Sequence, residues 1–316
     1  VAKGVTSAMF TDDADSTLTS FFTSSVQKAS DGGKYQLEVY SANPQTLSTA
    51  VPQFSIAFGE FDGKGANKNA GASSSIKTST KAVYTQFANL LLDPGDDKFT
   101  INGTDRDEMI FITMNRARYK EKMNKGGWEL SFCKSDETTF ASAAASEKVI
   151  LVDDSATVTS ASANGALVYN IIEKSTTTKI GLFYPELGIL AMSGTLVKAQ
   201  CGGAVGSTYA DPVINLGVYA MILKGANFKA RAEEDISSTH YFIRVRNAEY
   251  NFSNNNTFTT GSGVMAHATM VRDPQVYITT VGLYNDENEL VAVSKLSKPL
   301  LKNFTREATI RVKLDY

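Results

Sequence analysis

The sequence predicts a mostly β, α+β protein: antiparallel sheets of short strands, one or two helices, and a strand that runs to the end of the chain. Three observations carry this. Ala308, Ile310, Val312, Leu314 and Tyr316 alternate strictly with Thr309, Arg311, Lys313 and Asp315, which is the two-residue period of a half-buried strand. Short apolar runs at 166–172, 180–184 and 189–192 are separated by turn residues such as Pro185 and Gly188, a spacing that favours antiparallel pairing. Only 80–92 has clear helical spacing, with Val83, Phe87, Leu90 and Leu91 on one face, and it ends at Asp93-Pro-Gly95.

In chain order, residues 1–50 are rich in Ser, Thr, Asp and Ala and read as a loosely ordered N-terminal arm with one alternating strand at 35–40. A second short strand at 54–58 leads into loop chemistry over 62–75, an exposed loop or contact arm. After the helix, 109–114 is a buried strand, 116–122 is a charged segment that stops at Gly126-Gly127, and Trp128 starts another strand through Phe132. Small residues dominate 138–162 around the apolar patch 149–152, a composition of loops and edge strands. A second helix is expected within 211–225, strands at 239–246 and 275–284, and a turn at 285–289 into 290–293. The terminal strand is expected in the chain's own sheet, because a chain end without partners frays; pairing with another chain is the alternative.

This organisation divides into the arm 1–50, an α+β segment 51–135, a β-rich insert or second domain 136–235, and a C-terminal β segment 236–316, with 51–135 and 236–316 as candidates to join in one domain. Residues 178–193 also align without gaps to 279–294, sharing Gly-Leu-aromatic, a Glu in the turn, and the Ala and Ser beyond it. Two similar hairpins, or chance, account for so short an echo.

At 316 residues and 34.1 kDa the chain can bury a core without metal or disulfide support. Thirty-one basic against thirty-three acidic residues leave a charge of −2, so no global field steers it onto nucleic acid. Cys133 and Cys201 are too few for a disulfide framework or a four-ligand zinc site and read as independent buried thiols. The longest apolar stretch, 213–223, contains Asn215 and Gly217 and falls short of the roughly 20 residues of a membrane-spanning helix. The polar N-terminus, with Asp12, Asp13 and Asp15, lacks the apolar core of a secretory signal, and a cytosolic origin is expected.

Candidate chemistry is sparse. Gly59-Glu-Phe-Asp-Gly-Lys-Gly65 suggests a phosphate loop, but Lys64 is followed by Gly65 and Ala66 instead of Ser or Thr. Residues 285–289 have the acidity of a calcium loop without its glycine or distal Glu, and a hairpin turn is expected. Asp105, Asp107 and Glu108 read as a polar turn. These paired carboxylates beside Arg106 and the cluster Glu233-Glu-Asp235 near His240 are the two acid–base candidates, the second set against a plain surface connection. The only other histidine is His267, and no G-x-S-x-G elbow occurs. Arg116, Arg118, Lys120, Lys122 and Lys125 form the one local basic run, interrupted by Glu121. Asn102, Asn251, Asn255 and Asn303 open N-x-[ST] sequons and are expected as turn residues.

Several phrases carry a family resemblance. Thr80-Lys-Ala-Val-Tyr-Thr-Gln-Phe87 with Leu90-Leu-Leu92, Met114-Asn-Arg-Ala-Arg-Tyr-Lys-Glu-Lys122 with Gly127-Trp-Glu-Leu130, Ile180-Gly-Leu-Phe-Tyr-Pro-Glu-Leu-Gly188, Ile236-Ser-Ser-Thr-His-Tyr-Phe242, Ala248-Glu-Tyr-Asn-Phe-Ser-Asn-Asn255, and Tyr277-Ile-Thr-Thr-Val-Gly-Leu-Tyr-Asn-Asp286 through Leu296-Ser-Lys-Pro299 together resemble virion structural proteins of contractile-tailed phages, including marine and cyanobacterial myophages. The resemblance covers most of the chain from about residue 50 onward. The ending, Lys298-Pro-Leu before a charged spacer and a final strand, is similar to that of baseplate wedge proteins of T-even-like phages.

The resemblance implies a non-enzymatic assembly protein of the virion tail, made in the host cytoplasm, that needs no cofactor or metal. Its partners would be other tail and baseplate proteins and copies of itself, with no nucleic acid and no membrane insertion. Asp62, Lys64, Lys68, Arg116, Arg118, Lys120 and Lys122 are the expected interface residues. A neck, collar or sheath-associated protein is the nearest alternative; a host-surface adhesin, favoured by the sequons and β pattern, is the competing class, followed by an enzyme of unknown type.

Overall fold

Alternation at 109–114 places Met109 and Phe111 on one face of a strand and Ile110, Ile112 and Met114 on the other, and all five are buried. A strand covered on both faces must lie inside a layered structure. The computed structural model describes residues 3–10, 16–23, 36–63, 79–134, 148–158, 161–163, 165–201, 214–253 and 255–316, and the chain divides into two units, Gly4–Asp235 and Ile236–Tyr316, the latter joined by Lys3.

Up to Ile236 the elements run β1 (Lys3–Ala8), β2 (Thr17–Leu18), β3 (Phe22–Thr23), β4 (Gln36–Tyr40), β5 (Pro52–Glu60), α1 (Ser79–Leu91), β6 (Phe99–Ile101), β7 (Thr104–Arg106), β8 (Glu108–Met114), β9 (Lys122–Met123), β10 (Glu129–Cys133), β11 (Lys148–Asp153), β12 (Ala161–Ala163), β13 (Ala166–Glu173), β14 (Lys179–Tyr184), β15 (Ile189–Ser193), α2 (Gly194–Cys201), α3 (Ile214–Gly225), β16 (Phe228–Lys229) and β17 (Arg231–Ile236). The main sheet has the order β2-β16-β10-β11-β13-β14-β15-β8-β5-β4-β3, with β12 beside β13; β1-β17-β9 and β6-β7 are separate small sheets. The sheet is curled, and connectivity shows why. β2 and β3 stand at opposite ends of the strand order, yet Leu18 and Phe22 are four residues apart, which limits their separation to roughly 14 Å.

The two faces of the sheet bury different residues. On one, α1 lays Val83, Tyr84, Ala88 and Leu91 against Ala57, Phe111, Ile189 and Ala191, and Phe87 stacks on Phe111 with ring centroids 4.0 Å apart. Leu90, expected on that face, is exposed, because Tyr84 and Ala88 hold the positions that face the sheet. On the other face, α3 contributes Val218, Met221 and Ile222 to a core with Phe54, Ile56, Ile112, Trp128 and Phe228. Each fully buried Ile or Phe here contributes roughly 1.5–3 kcal/mol.

The mostly β, antiparallel class is as predicted, and so are α1, α3 and the strands at 109–114, 128–132, 166–172, 180–184 and 189–192. Several expectations are corrected. Among the described residues, 1–50 hold four strands rather than one, and Met9, Phe10, Leu18 and Phe21 enter the main core. β8 pairs along its length with β15 (Ile110↔Met192, Ile112↔Leu190), so the described residues of 51–135 share a sheet and a unit with those that follow. The patch 149–152 forms β11, an interior strand between β10 and β13. The helix α2 was not expected. The loop expected at 62–75 lies outside the described residues from 64 onward, as does 138–147.

The unit Ile236–Tyr316 holds β18 (Ser238–Val245), a single turn α4 (Thr269–Arg272), β19 (Val276–Tyr284), β20 (Leu290–Lys302) and β21 (Ala308–Asp315). The terminal strand does pair within its own chain: β21 runs antiparallel to β18 from Val245↔Ala308 to Ser238↔Asp315. Reciprocal backbone bonds between Ser237 and Tyr316, at 2.9 and 3.0 Å, close the ladder. β19 and β20 make a second two-stranded sheet. The internal echo is structural: Gly181 pairs with Met192 and Gly282 with Val293, the same register in hairpins β14-β15 and β19-β20.

Candidate interface

The basic run and the acidic cluster, far apart in sequence, meet. After β8, Asn115 caps the short turn Arg116–Arg118 by accepting from the Ala117 N–H. Arg116 then lies over the Tyr119 ring, 4.7 Å from its centroid, while the Tyr119 hydroxyl donates to the Leu187 carbonyl at 2.6 Å. This delivers the chain into β9, where Lys122 pairs with Glu233 and Met123 with Ala232 of β17. Lys122 Nζ lies 2.7 Å from Asp235 and 3.6 Å from Glu233, and Lys120 Nζ 2.9 Å from Glu234. Asn124 donates to Glu233 at 2.6 Å, and Glu121 accepts the Asp235 N–H at 2.8 Å. The Asp235 carboxylate, by its hydrogen bond, holds the Lys122 ammonium above the ordinary lysine value.

These contacts decide what the cluster does. Lys120 and Lys122 are matched by Glu234, Asp235 and Glu233, and these pairs link β9 to β17. Exposed pairs of this kind contribute about 0–1 kcal/mol each. Of the other expected contact residues, Arg116 is exposed, Arg118 is half-buried, Asp62 is exposed at the turn after β5, and Lys64 and Lys68 lie outside the described residues. Glu234 is engaged by Lys120, and His240 sits exposed on β18 opposite Lys313.

The remaining motifs resolve into structure. Gly59 lies within β5, where an added Cβ would stand 2.7 Å from the Tyr84 nitrogen, so close helix packing accounts for this glycine. Residues 285–289 form the β19-β20 turn: the Asn285 side chain accepts from the Glu289 N–H at 2.7 Å and donates to its carboxylate at 3.0 Å. Asn102 takes a left-handed turn conformation, Asn255 and Asn303 accept from Thr257 and Thr305 backbone N–H groups, and Asn251 is buried against Lys302. Cys133 and Cys201 are free and buried, and burial pushes the Cys201 thiol up to about 12. Among the described residues no group of three or more His, Cys, Asp or Glu could hold a metal ion, and no helix is long and apolar enough to cross a membrane.

What the sequence reading missed lies in Ile236–Tyr316. Among the described residues only Val245, Phe258, Ala308, Ile310 and Val312 are its buried apolar side chains, while Phe242 (70 % exposed), Tyr250 (75 %), Tyr284, Val291 and Val293 stand in solvent with others. The signal was present in β19, nine residues without a charge, and in β20, which outruns its expected end. No known protein family, characterised protein or solved structure matches this chain.

Proposed function

We propose that this chain is a structural assembly protein of a contractile phage tail, a baseplate wedge component that holds neighbouring virion proteins and copies of itself in a symmetric lattice. The resemblance of its phrases to virion proteins of such phages suggests the particle. The observation that carries the assembly role is the unfinished apolar surface of Ile236–Tyr316. Two-stranded sheets are marginal by themselves, and large apolar side chains left in solvent mark surfaces that partners cover. A unit built this way gains burial when it docks, and repeated copies in a lattice multiply modest contacts into firm attachment.

Immunogold labelling of intact and contracted particles, with an antibody raised against the chain, tests the reading. Label confined to the distal end of the tail is the expected result. Label at the head–tail junction moves the protein to the neck, and particles without label overturn the virion assignment.

A further inference from the structure

We propose that the outer edge of β19 pairs antiparallel with β19 of a second copy of this chain, joining two hairpins into one four-stranded sheet about a two-fold axis. The inference rests on the assembly reading for the surface it uses, and it names the partner.

Among the described residues β19 has a neighbour on one side only, so the backbone N–H and C=O groups of its other edge have no strand opposite them. Natural proteins blunt such edges with lysine, proline, bulges or short length. β20 carries these devices. It holds Lys295, Lys298 and Pro299, and between the pairs Ile278↔Leu300 and Thr280↔Lys295 one residue of β19 faces four of β20, so 296–299 bulges out of the ladder. β18 and β21 are guarded by charge, through Arg244 on one and Arg311, Lys313 and Asp315 on the other. β19, Val-Tyr-Ile-Thr-Thr-Val-Gly-Leu-Tyr, has no charge and no proline, and seven of its nine residues are β-branched or aromatic.

The same features select the occupant. An edge without charge meets its own copy without repulsion and offers nothing to attract a charged strand of another protein. Antiparallel pairing brings the Tyr277 end of one copy to the Tyr284 end of the other, and both tyrosines are exposed, at 62 % and 64 %, so the pairing covers apolar area left in solvent. A two-fold interface of this kind closes after two chains and does not propagate into a fibre.

Sedimentation of the full chain at micromolar concentration tests this. The wild type is expected to be a dimer, Thr279→Lys a monomer with unchanged circular dichroism, and Ser297→Lys, the same charge placed on the bulged strand, a dimer. Hydrogen exchange of the wild type supplies a readout free of any variant: protection of amides in 276–284 is expected to rise with concentration. A wild type that stays monomeric, a Thr279→Lys dimer, or exchange in 276–284 that ignores concentration overturns the pairing. Particle labelling reads the virion assignment without reference to oligomeric state, so a labelled tail with a monomeric chain removes the edge pairing alone, and a dimer with unlabelled particles removes the virion reading alone.

Discussion

Lys302 Nζ donates to Asn251 Oδ1 at 2.8 Å in a place closed to solvent. The same ammonium donates to the Asn247 and Asn303 carbonyls, at 2.8 and 3.2 Å. A lysine is almost never buried unless its charge is answered, and here three neutral oxygens answer it, tying the end of β20 to the loop after β18. Lys302→Met leaves these acceptors without a donor and is expected to cost about 3 kcal/mol. Hydrogen exchange in β19 and β20 should accelerate in the variant while β8 and β15 exchange as before; equal rates throughout would show that the lysine holds nothing.

The two echoed glycines should respond differently to the same change. A Cβ on Gly181 would stand 2.3 Å from the Ala191 carbonyl oxygen, and backbone there cannot retreat. The nearest atoms a Cβ on Gly282 would meet are the Tyr284 ring and the tip of Leu290, at 3.0 and 3.1 Å, and both side chains can turn aside. Gly181→Ala is expected to lose about 1–3 kcal/mol in urea titration, and Gly282→Ala less than 1 kcal/mol by roughly the same scale.

The Tyr84 hydroxyl donates to the Arg106 carbonyl at 2.6 Å and accepts the Phe99 N–H at 3.1 Å, and burial raises its pKa to about 12 from 10.0. Below pH 10 both folded and unfolded chains keep the proton. Between 10 and about 12 the unfolded chain releases it first, so stability falls as pH rises through this window. Tyr84→Phe is expected to be less stable at neutral pH by about 1–2 kcal/mol and to show a shallower alkaline decline. An alkaline slope identical to the wild type would exclude Tyr84 as its source.

Cys201 should be inert in the folded chain. Its thiol is buried and held protonated by that burial, whereas alkylation and disulfide exchange need the thiolate. Iodoacetamide at pH 8 is expected to leave Cys201 unmodified until denaturant is added. Labelling faster than global unfolding would reveal a local opening of α2 that its packing does not suggest.

Period made part of the fold legible. In β8 and β21 the alternation of side chains assigns both strand and face, and in α1 the three-to-four spacing does the same. The two-residue strands β2, β3 and β16 carry no period at all, because partners more than 200 residues away define β2 and β16 (Leu18↔Phe228). α2 has too weak an apolar face to announce itself. The basic run and the acidic cluster could each be read locally, but their meeting depends on the pairing of β9 with β17, and the unlike charges across it turn two apparent sites into one clip. In β19 the alternation identified the strand and hid its character, since an uncovered strand and a covered one share the same period.

The curl of the main sheet also sets a timetable. β2 waits for β16, and Tyr219 bonds the Phe21 carbonyl across nearly as long a span of chain. About 210 residues separate the two strands, which a ribosome adds in roughly 10–40 s. During that interval Phe10 and Leu18 have emerged without Phe228, on which Phe10 packs and with which Leu18 pairs, so the nascent chain passes through a sticky stage that the finished sheet conceals.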